Sequence, residues 1–381
     1  MLNLLFSPTS GAGLDILRFG LGGAGSGTNS SNGQVWLGLK AKSYGVSTFY
    51  ADSWSAPASM KTNGSINGGG DLCGAPGAAT CSNGDQRAAY ASYLAGQASD
   101  FAQAGLPLKY IDFVNEPEYT PSYAGMEMTA AQMANFIPYL GKALSAAGLS
   151  TQVACCDAEG WLDEVSWAST ILGSSGANYV GLLTGHGYAS QPTVPVASQG
   201  RPVWETEWST FQSWDPAWND GSTASGLAWA NNIETAIVNA NVSGFLYWWG
   251  ASNLDGGNES LINIPSSGYQ VSGRLWAFAN FSRFIRPGAT RIGDTLTGQS
   301  QNLLSSAYLS SNGSETIVVV INNGGNSTTV GINLGSSSAT TAVPYTTDSN
   351  ENVAQQPTIS VSGGSFTASI PAGSVTTYVI S

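Results

Sequence analysis

Charge is what this sequence has least of. Asp, Glu, Lys and Arg make up only 9% of its 381 residues, against roughly 25% in ordinary soluble domains. The basic side is the thinner, with 12 Lys and Arg against 24 Asp and Glu and a net charge of −12. There is no basic cluster to neutralise phosphates, which excludes a nucleic-acid partner. A single histidine and four cysteines in two close pairs do not make the tetrahedral set that zinc requires. No apolar run approaches the roughly 18 residues of a membrane span. The opening Met1-Leu2-Asn3-Leu4-Leu5-Phe6 is too short for a secretion signal and lacks its basic region. The run Gly20-Leu21-Gly22-Gly23-Ala24-Gly25 comes near a dinucleotide turn, but the acidic ribose ligand expected about 20 residues further on is absent. A glycine-rich loop over a sugar cleft is the better reading. Neither metal nor cofactor is expected.

What is abundant is Gly (48 residues), Trp (12 residues) and uncharged Ser, Thr and Asn. Asn-x-Ser/Thr sequons stand at Asn29, Asn63, Asn241, Asn258, Asn280, Asn312 and Asn326, which fits a secreted, extracellular eukaryotic protein; a monomer is expected. Cys73 and Cys81 bracket a Gly/Ala/Pro loop and suit a loop-closing disulfide. Cys155 and Cys156 are adjacent, so they either bond to each other or point apart as thiols.

Short apolar strands alternate with helical stretches over the first two thirds, the pattern of a parallel α/β fold. Residues Leu2 to Phe6 read as a helix end. Strands are expected over Leu14–Phe19, Val46–Ala51, Leu108–Val114, Thr151–Ala154, Tyr179–Thr184, Pro202–Thr206 and Gly244–Trp249. Helices are expected over Arg87–Ala104, Ala130–Ala147, Ala224–Asn239 and a stretch carrying Leu275, Phe278, Ala279 and Ile285. Seven strands are one short of a closed barrel, so the sheet is either open or a barrel whose first strand is absent. After Pro287 short β runs follow at hairpin spacing (303–309, 316–322, 328–334, 340–345, 358–361, 366–370 and 375–380), an antiparallel β-sandwich. The domains are thus residues 1–286 and 287–381, the second a structural appendage or a glycan-binding module.

Two stretches carry chemistry. Leu108 to Val114 leads into Asn115-Glu116-Pro117, and Arg201 to Thr206 leads into Glu207-Trp208-Ser209. Both deliver a glutamate to the C-terminal end of a strand, the face where barrel active sites lie. A retaining glycosidase needs such a pair about 5–5.5 Å apart, so Glu116 and Glu207 are the expected catalytic residues. Asn115 is placed to donate a hydrogen bond to a sugar hydroxyl beside the reacting carbon. Glu205 competes with Glu207, since alternation lets both face one side with Glu205 a layer deeper; the strand-end residue is preferred. His186 and Tyr188 follow the strand at 179–184, one as a sugar ligand or a structural residue, the other as a hydrogen-bond donor to the nucleophile. Trp54, Trp161, Trp208, Trp248 and Trp249 lie near strand ends, where some stack on sugars and others are core. Trp54, Trp208 and Trp249 are the ones expected to touch substrate.

The motifs Ala51-Asp52-Ser53-Trp54-Ser55-Ala56-Pro57, Met60-Lys61-Thr62-Asn63-Gly64, Asn115-Glu116-Pro117, Cys155-Cys156-Asp157 and Trp204-Glu205-Thr206-Glu207 resemble the fungal branch of glycoside hydrolase family 30. Tyr247-Trp248-Trp249 and Ser282-Arg283-Phe284-Ile285-Arg286-Pro287-Gly288 extend the match along the chain. The resemblance implies a (β/α)8 TIM barrel fused to a β-sandwich, and retention with Glu116 as acid/base and Glu207 as nucleophile. It also implies a secreted enzyme for plant cell-wall β-glycans, here β-1,4-xylan, with endo-β-1,6-galactanase as the alternative. Family members begin with a signal peptide, a sandwich strand and a first barrel strand that this sequence lacks before Met1. They also carry a long loop where this one runs from Ser31 to Gln34, so recognition of a uronic acid branch does not carry over. A third expectation, from another class, is a non-catalytic glycan-binding protein with a crippled barrel. The open sheet also predicts poor solubility and weak activity.

Overall fold

The computed structural model describes residues 1–23, 33–253, 257–298 and 301–381. The Asn29 sequon, Ala24 and Gly25 of the glycine run and Ser31 lie outside them. In chain order the first elements are α1 (Leu2–Phe6), β1 (Ile16–Leu21), α2 (Gln34–Ser43), β2 (Thr48–Ser53), α3 (Arg87–Gln103) and β3 (Tyr110–Ile111). Next come α4 (Ala130–Ala146), β4 (Gln152–Ala158), α5 (Trp161–Leu172), β5 (Val180–His186), β6 (Val203–Trp208), α6 (Gly226–Val238) and β7 (Gly244–Tyr247). The chain forms two compact units: residues 16–208 with 239–246, and residues 1–15 with 209–238 and 247–381.

In the first unit the strands follow the order β1-β2-β3-β4-β5-β6-β7 in one barrel sheet. The pairs from β1 to β6 are parallel. As expected, the strands number seven, and β1 and β7 are the ends of the path, with no pairing between them among the described residues. Tyr50, Tyr110, Ala154, Leu182, Trp204 and Leu246, one from each of β2 to β7, share one core cluster, with Ile16 of β1 packed against it. The indole of Trp204 is its centre, meeting Tyr110 and Tyr50 edge-on at 5.2 and 6.4 Å. Helix α3 turns Tyr90, Ala91, Leu94, Ala95, Ala98 and Phe101 inward, the stripe of an amphipathic helix. Helix α4 starts at a capping box formed by Thr129 and Gln132.

The expected strand 108–114 shrinks to two ladder residues. Asp112 is the cause: its Oδ1 accepts from the backbone N–H of Phe113 at 2.7 Å, drawing the chain out of the ladder. The freed segment carries Asn115 and Glu116 across the strand ends. Helices α2 and α5 were not singled out from sequence, and the former has little apolar stripe to announce it.

In the second unit β8 (Trp249–Ser252), β9 (Ser260–Asn263) and β10 (Gln270–Val271) form a three-stranded sheet. The expected strand 244–249 is thus two strands in two sheets, broken at Trp248. After α7 (Gly273–Ser282) come β11 (Thr290–Ile292), β12 (Leu303–Leu309), β13 (Thr316–Asn322), β14 (Thr328–Asn333) and β15 (Thr341–Thr347). The chain ends with β16 (Ala354–Gln355), β17 (Ile359–Ser360), β18 (Ser365–Ile370) and β19 (Ser374–Ile380). The order β11-β12-β13-β19-β15-β16, with β17 on β15, makes one antiparallel layer and β14-β18 the other. Alternate residues Phe366, Ala368 and Ile370 of β18 pack on Val318, Val320, Tyr378 and Ile380, the two-residue period of a sandwich core. Helices α6 and α7 belong to this unit. Glu234 of α6 accepts from Ser306 Oγ at 2.8 Å, and Asn280 of α7 donates to Thr347 Oγ1 at 2.7 Å.

Candidate active site

Where the strands of the first unit end, six of the expected residues converge with others that the sequence reading passed over. Glu116 has φ +47 and Asp157 φ +44, the left-handed region that non-glycine residues rarely occupy. Such conformations persist only where surroundings over-determine them, and they gather at functional sites. The two residues are tied directly, the Glu116 N–H donating to the Asp157 carbonyl at 2.8 Å. Glu116 Oε1 lies 3.0 Å from His186 Nδ1, and Tyr123 OH reaches Oε2 at 3.4 Å.

Glu207 arrives by a different route. The β5–β6 register pairs Gly185 with Glu205 but His186 with Glu207, so an extra residue, Thr206, sits in β6. Such a bulge re-aims side chains. Thr206 Oγ1 reaches Asp157 Oδ1 at 2.5 Å, while Glu207 meets Tyr188 OH at 2.9 Å and Arg18 Nη1 in a short ion pair. Glu205 is the more deeply buried of the two glutamates. It is fully buried, and its carboxylate accepts the N–H of Glu207 at 2.9 Å and of Leu246 at 3.3 Å. Burial pushes its carboxyl well above the usual range.

One oxygen of Glu116, one of Glu207 and a ring nitrogen of His186 all lie within 4.8 Å of one another. Behind them Arg18 Nη2 donates to Asp52 Oδ2 at 2.6 Å and Asn115 Oδ1 at 2.8 Å, with Asp157 Oδ2 at 3.4 Å. Asn115 therefore turns its amide oxygen to the arginine. Among the described residues its Nδ2 has no protein partner. Asp52, Asp112 and Asp157 also approach within 4.8 Å. Three carboxylates this close do not all ionise together. Burial, then the Asp157 charge, push Asp52 up to about 8 against the pull of Arg18, and the same two causes raise Asp112 well above its ordinary range. His186 moves the other way from most buried imidazoles. Burial opposes its charge, yet Glu207, the bond to Glu116 and Asp157 outweigh that and raise it to about 9. Both acidic groups are close enough to grip a cation, but His186 and Arg18 already supply the positive charge.

The tryptophans are differently placed. Trp54 has its ring 4.9 Å from the Arg18 guanidinium. Trp208 is 7% exposed and lies over Gly187, where a Cβ would come within 2.4 Å of it. Trp161 is buried and donates to the Val194 carbonyl at 2.7 Å. Trp249 belongs to the second unit, in β8, stacked on Trp248 at 4.9 Å. Cys73 and Cys81 are bonded, and so are Cys155 and Cys156. The residues passed over were Arg18, Tyr50, Asp112, Tyr123, Thr184 and Thr206. A lone arginine inside the apolar run Ile16-Leu17-Arg18-Phe19 was the available signal, because such a charge needs a buried counter-ion.

Comparison with known proteins agrees. The profile of O-glycosyl hydrolase family 30 matches residues 19–170, and that of the family 30 β-sandwich domain matches residues 288–378. The catalytic domain of GH30 xylanase C from Talaromyces cellulolyticus superposes with a TM-score of 0.91 at 40% identity, over 100% of this chain and 90% of that one. Glucuronoxylanase XynC of Bacillus subtilis is 26% identical over 341 residues, 87% of this chain and 73% of that protein. Endo-1,6-β-D-glucanase neg1 of Aspergillus fumigatus is 29% identical over 289 residues, 70% of this chain but only 57% of its own length. A parallel barrel sheet joined to a sandwich, with these relatives, defines a glycoside hydrolase. The chain belongs to glycoside hydrolase family 30.

Proposed function

We propose that the protein is a retaining endo-hydrolase of plant cell-wall β-1,4-xylan, with Glu207 as nucleophile and Glu116 as acid/base. The observation that carries the chemistry is the pair of carboxylate oxygens within 4.8 Å. Retaining pairs lie about 5–5.5 Å apart, whereas inverting pairs leave about 6.5–9.5 Å for a water. Glu207, held by Arg18 and Tyr188, attacks the anomeric carbon. Glu116, with Oε1 occupied by His186, gives a proton from Oε2 to the leaving oxygen, and later takes one from the water that frees the glycosyl-enzyme. Asn115 Nδ2 supports the sugar hydroxyl beside the reacting carbon, where a bond strengthens as charge develops. Trp54, Trp208, His186 and Tyr188 are the further residues we assign to substrate binding, the last two also through the glutamates they hold.

The substrate assignment rests on 40% identity to a xylanase. An endo-β-1,6-galactanase of Hypocrea rufa is 25% identical over 317 residues, 77% of this chain, and supplies the alternative. Reducing-end release from xylan, β-1,6-galactan and β-1,6-glucan decides between them. Xylan turnover in excess of the others by about 100-fold is expected. Faster galactan turnover would replace the reading, and glycan binding without turnover would return the non-catalytic alternative.

Secretion with N-glycosylation belongs to the same reading. Asn63, Asn241, Asn312 and Asn326 are exposed, whereas Asn258 and Asn280 are buried and their side-chain amides donate to carbonyls of the fold. Peptide mapping of protein from a glycosylating host should find glycans only on the exposed group of these six.

A further inference from the structure

The two glutamates are each gripped by a cation, and the two cations face the same buried group. We propose that Asp157 is a positioning residue common to both halves of the reaction, the shared counter-ion of Arg18, which holds Glu207, and of His186, which holds Glu116. The proposal rests on the assignment of Glu116 and Glu207 as the reacting pair.

The geometry is as follows. Asp157 Oδ2 accepts from Tyr50 OH in a short bond and lies 3.4 Å from Arg18 Nη2. Its Oδ1 accepts from Thr206 Oγ1 at 2.5 Å and lies 3.8 Å from His186 Nε2, which among the described residues has no hydrogen-bond partner. Donors on both oxygens suit a carboxylate rather than a carboxylic acid. The main chain repeats the pattern: the Asp157 N–H donates to Thr184 Oγ1 at 3.1 Å, and its carbonyl accepts from Glu116. Thr184 in turn meets Asp112 at 2.9 Å. One residue thus touches β5, the bulge of β6, both cations and the backbone of Glu116, and is fully buried. A merely structural residue there would need neither its charge nor its aim at a second cation.

Asp157 is not the only group facing the ring. Glu116 after β3, Glu205 and Glu207 of β6, Asp52 of β2 and Glu159 after β4 also act on it electrostatically, and the Tyr188 ring stands edge-on at 6.0 Å. Removing the Asp157 charge must therefore be tested directly rather than read from a pH optimum.

Because His186 is the only histidine, its imidazole gives a single set of ring signals in ring-labelled protein. The wild-type ring should stay charged at pH 7–8. In Asp157→Asn the titration midpoint should fall by about one unit or more. Its kcat/KM should drop at least ~100-fold on aryl glycosides with good and with poor leaving groups alike, because both glutamates lose their hold. Thr206→Val, which removes a hydrogen bond but no charge, should leave the midpoint unchanged. A neutral ring in the wild type at pH 7 overturns the proposal whatever the variants do. So does a folded Asp157→Asn whose midpoint is unmoved. Full activity in Glu207→Gly would instead overturn the assignment of the pair and leave the NMR result standing.

Discussion

Arg274 is fully buried and Arg18 largely so, its side chain 9% exposed, one in each unit, and their surroundings differ in kind. Arg18 is set among carboxylates: Asp52, Asp157 and Glu207, with the oxygen of Asn115. Among the described residues Arg274 has no carboxylate partner in its hydrogen bonds. It donates to the carbonyls of Asp215 and Ala224 at 2.7 Å and of Ser260 at 3.3 Å, with its guanidinium 5.2 Å from the Trp214 ring. Burial lowers its affinity for a proton, Tyr247 and Asp215 opposing. Carbonyl dipoles satisfy a cation in place and stitch two loop segments to β9. A guanidinium among carboxylates instead fixes the aim of one of them, Glu207, which in the proposed reaction is the group that attacks. The same residue type is a rivet in one unit and, in the proposed mechanism, part of the chemistry in the other.

That contrast can be broken by substitution. Arg18→Met should cut kcat/KM by about 1,000-fold or more, since Glu207 loses its hold and its neighbours lose their counter-ion. Arg18→Lys should rescue little of this, because a point charge does not fork to Glu207 and Asp52 at once. Arg274→Met should do the reverse. Orphaned carbonyls cost about 1–3 kcal/mol each when no water replaces the donor, so Tm should fall by about 5 °C with kcat/KM of the folded enzyme within about twofold. Equal effects of the two on activity, measured at a temperature where both are folded, would erase the distinction.

A gentler comparison uses buried acids. Burial raises Glu234 of α6 to about 7, Ser306 opposing, and Asp52 is held at about 8. Each folded carboxyl keeps a proton that the unfolded chain releases near pH 4, so this stabilisation is complete below the unfolded value and is lost as pH rises through the folded one. His186 acts in the same direction, its contribution complete below about 6.5 and lost through about 9. Tm should therefore decline from pH 5 to 9. Glu234→Gln should flatten the part between pH 5 and 7 and leave kcat unchanged, whereas Asp52→Asn should alter both. An undiminished slope in Glu234→Gln, followed by calorimetry, would contradict the assignment.

Much of this was legible in the sequence for physical reasons. Strand-end glutamates stand out because an apolar run must stop where a carboxylate begins, as in Phe113-Val114-Asn115-Glu116, and the β-sandwich shows itself by short β runs at hairpin spacing. The rest was hidden because it depends on registers. The bulge at Thr206 changes which side chains share a face, and nothing in Trp204-Glu205-Thr206-Glu207 announces it. The contacts of Arg18 join residues 34, 97, 139 and 189 positions away, so its partners appear only once the sheet is assembled. Asp112 shortens its own strand by hydrogen bonding, a competition that apolar patterning does not register.

The central claim is that Glu207 forms the covalent intermediate and Glu116 serves it on the other side of the bond. Glu207→Gly assayed on an activated aryl β-xyloside, with and without azide, tests it most directly. The account predicts turnover reduced by at least about 10,000-fold, restored by azide, with a glycosyl azide of inverted configuration as product. Substantial activity without azide, or loss of activity in Glu205→Gln with Glu207→Gly unaffected, would contradict it.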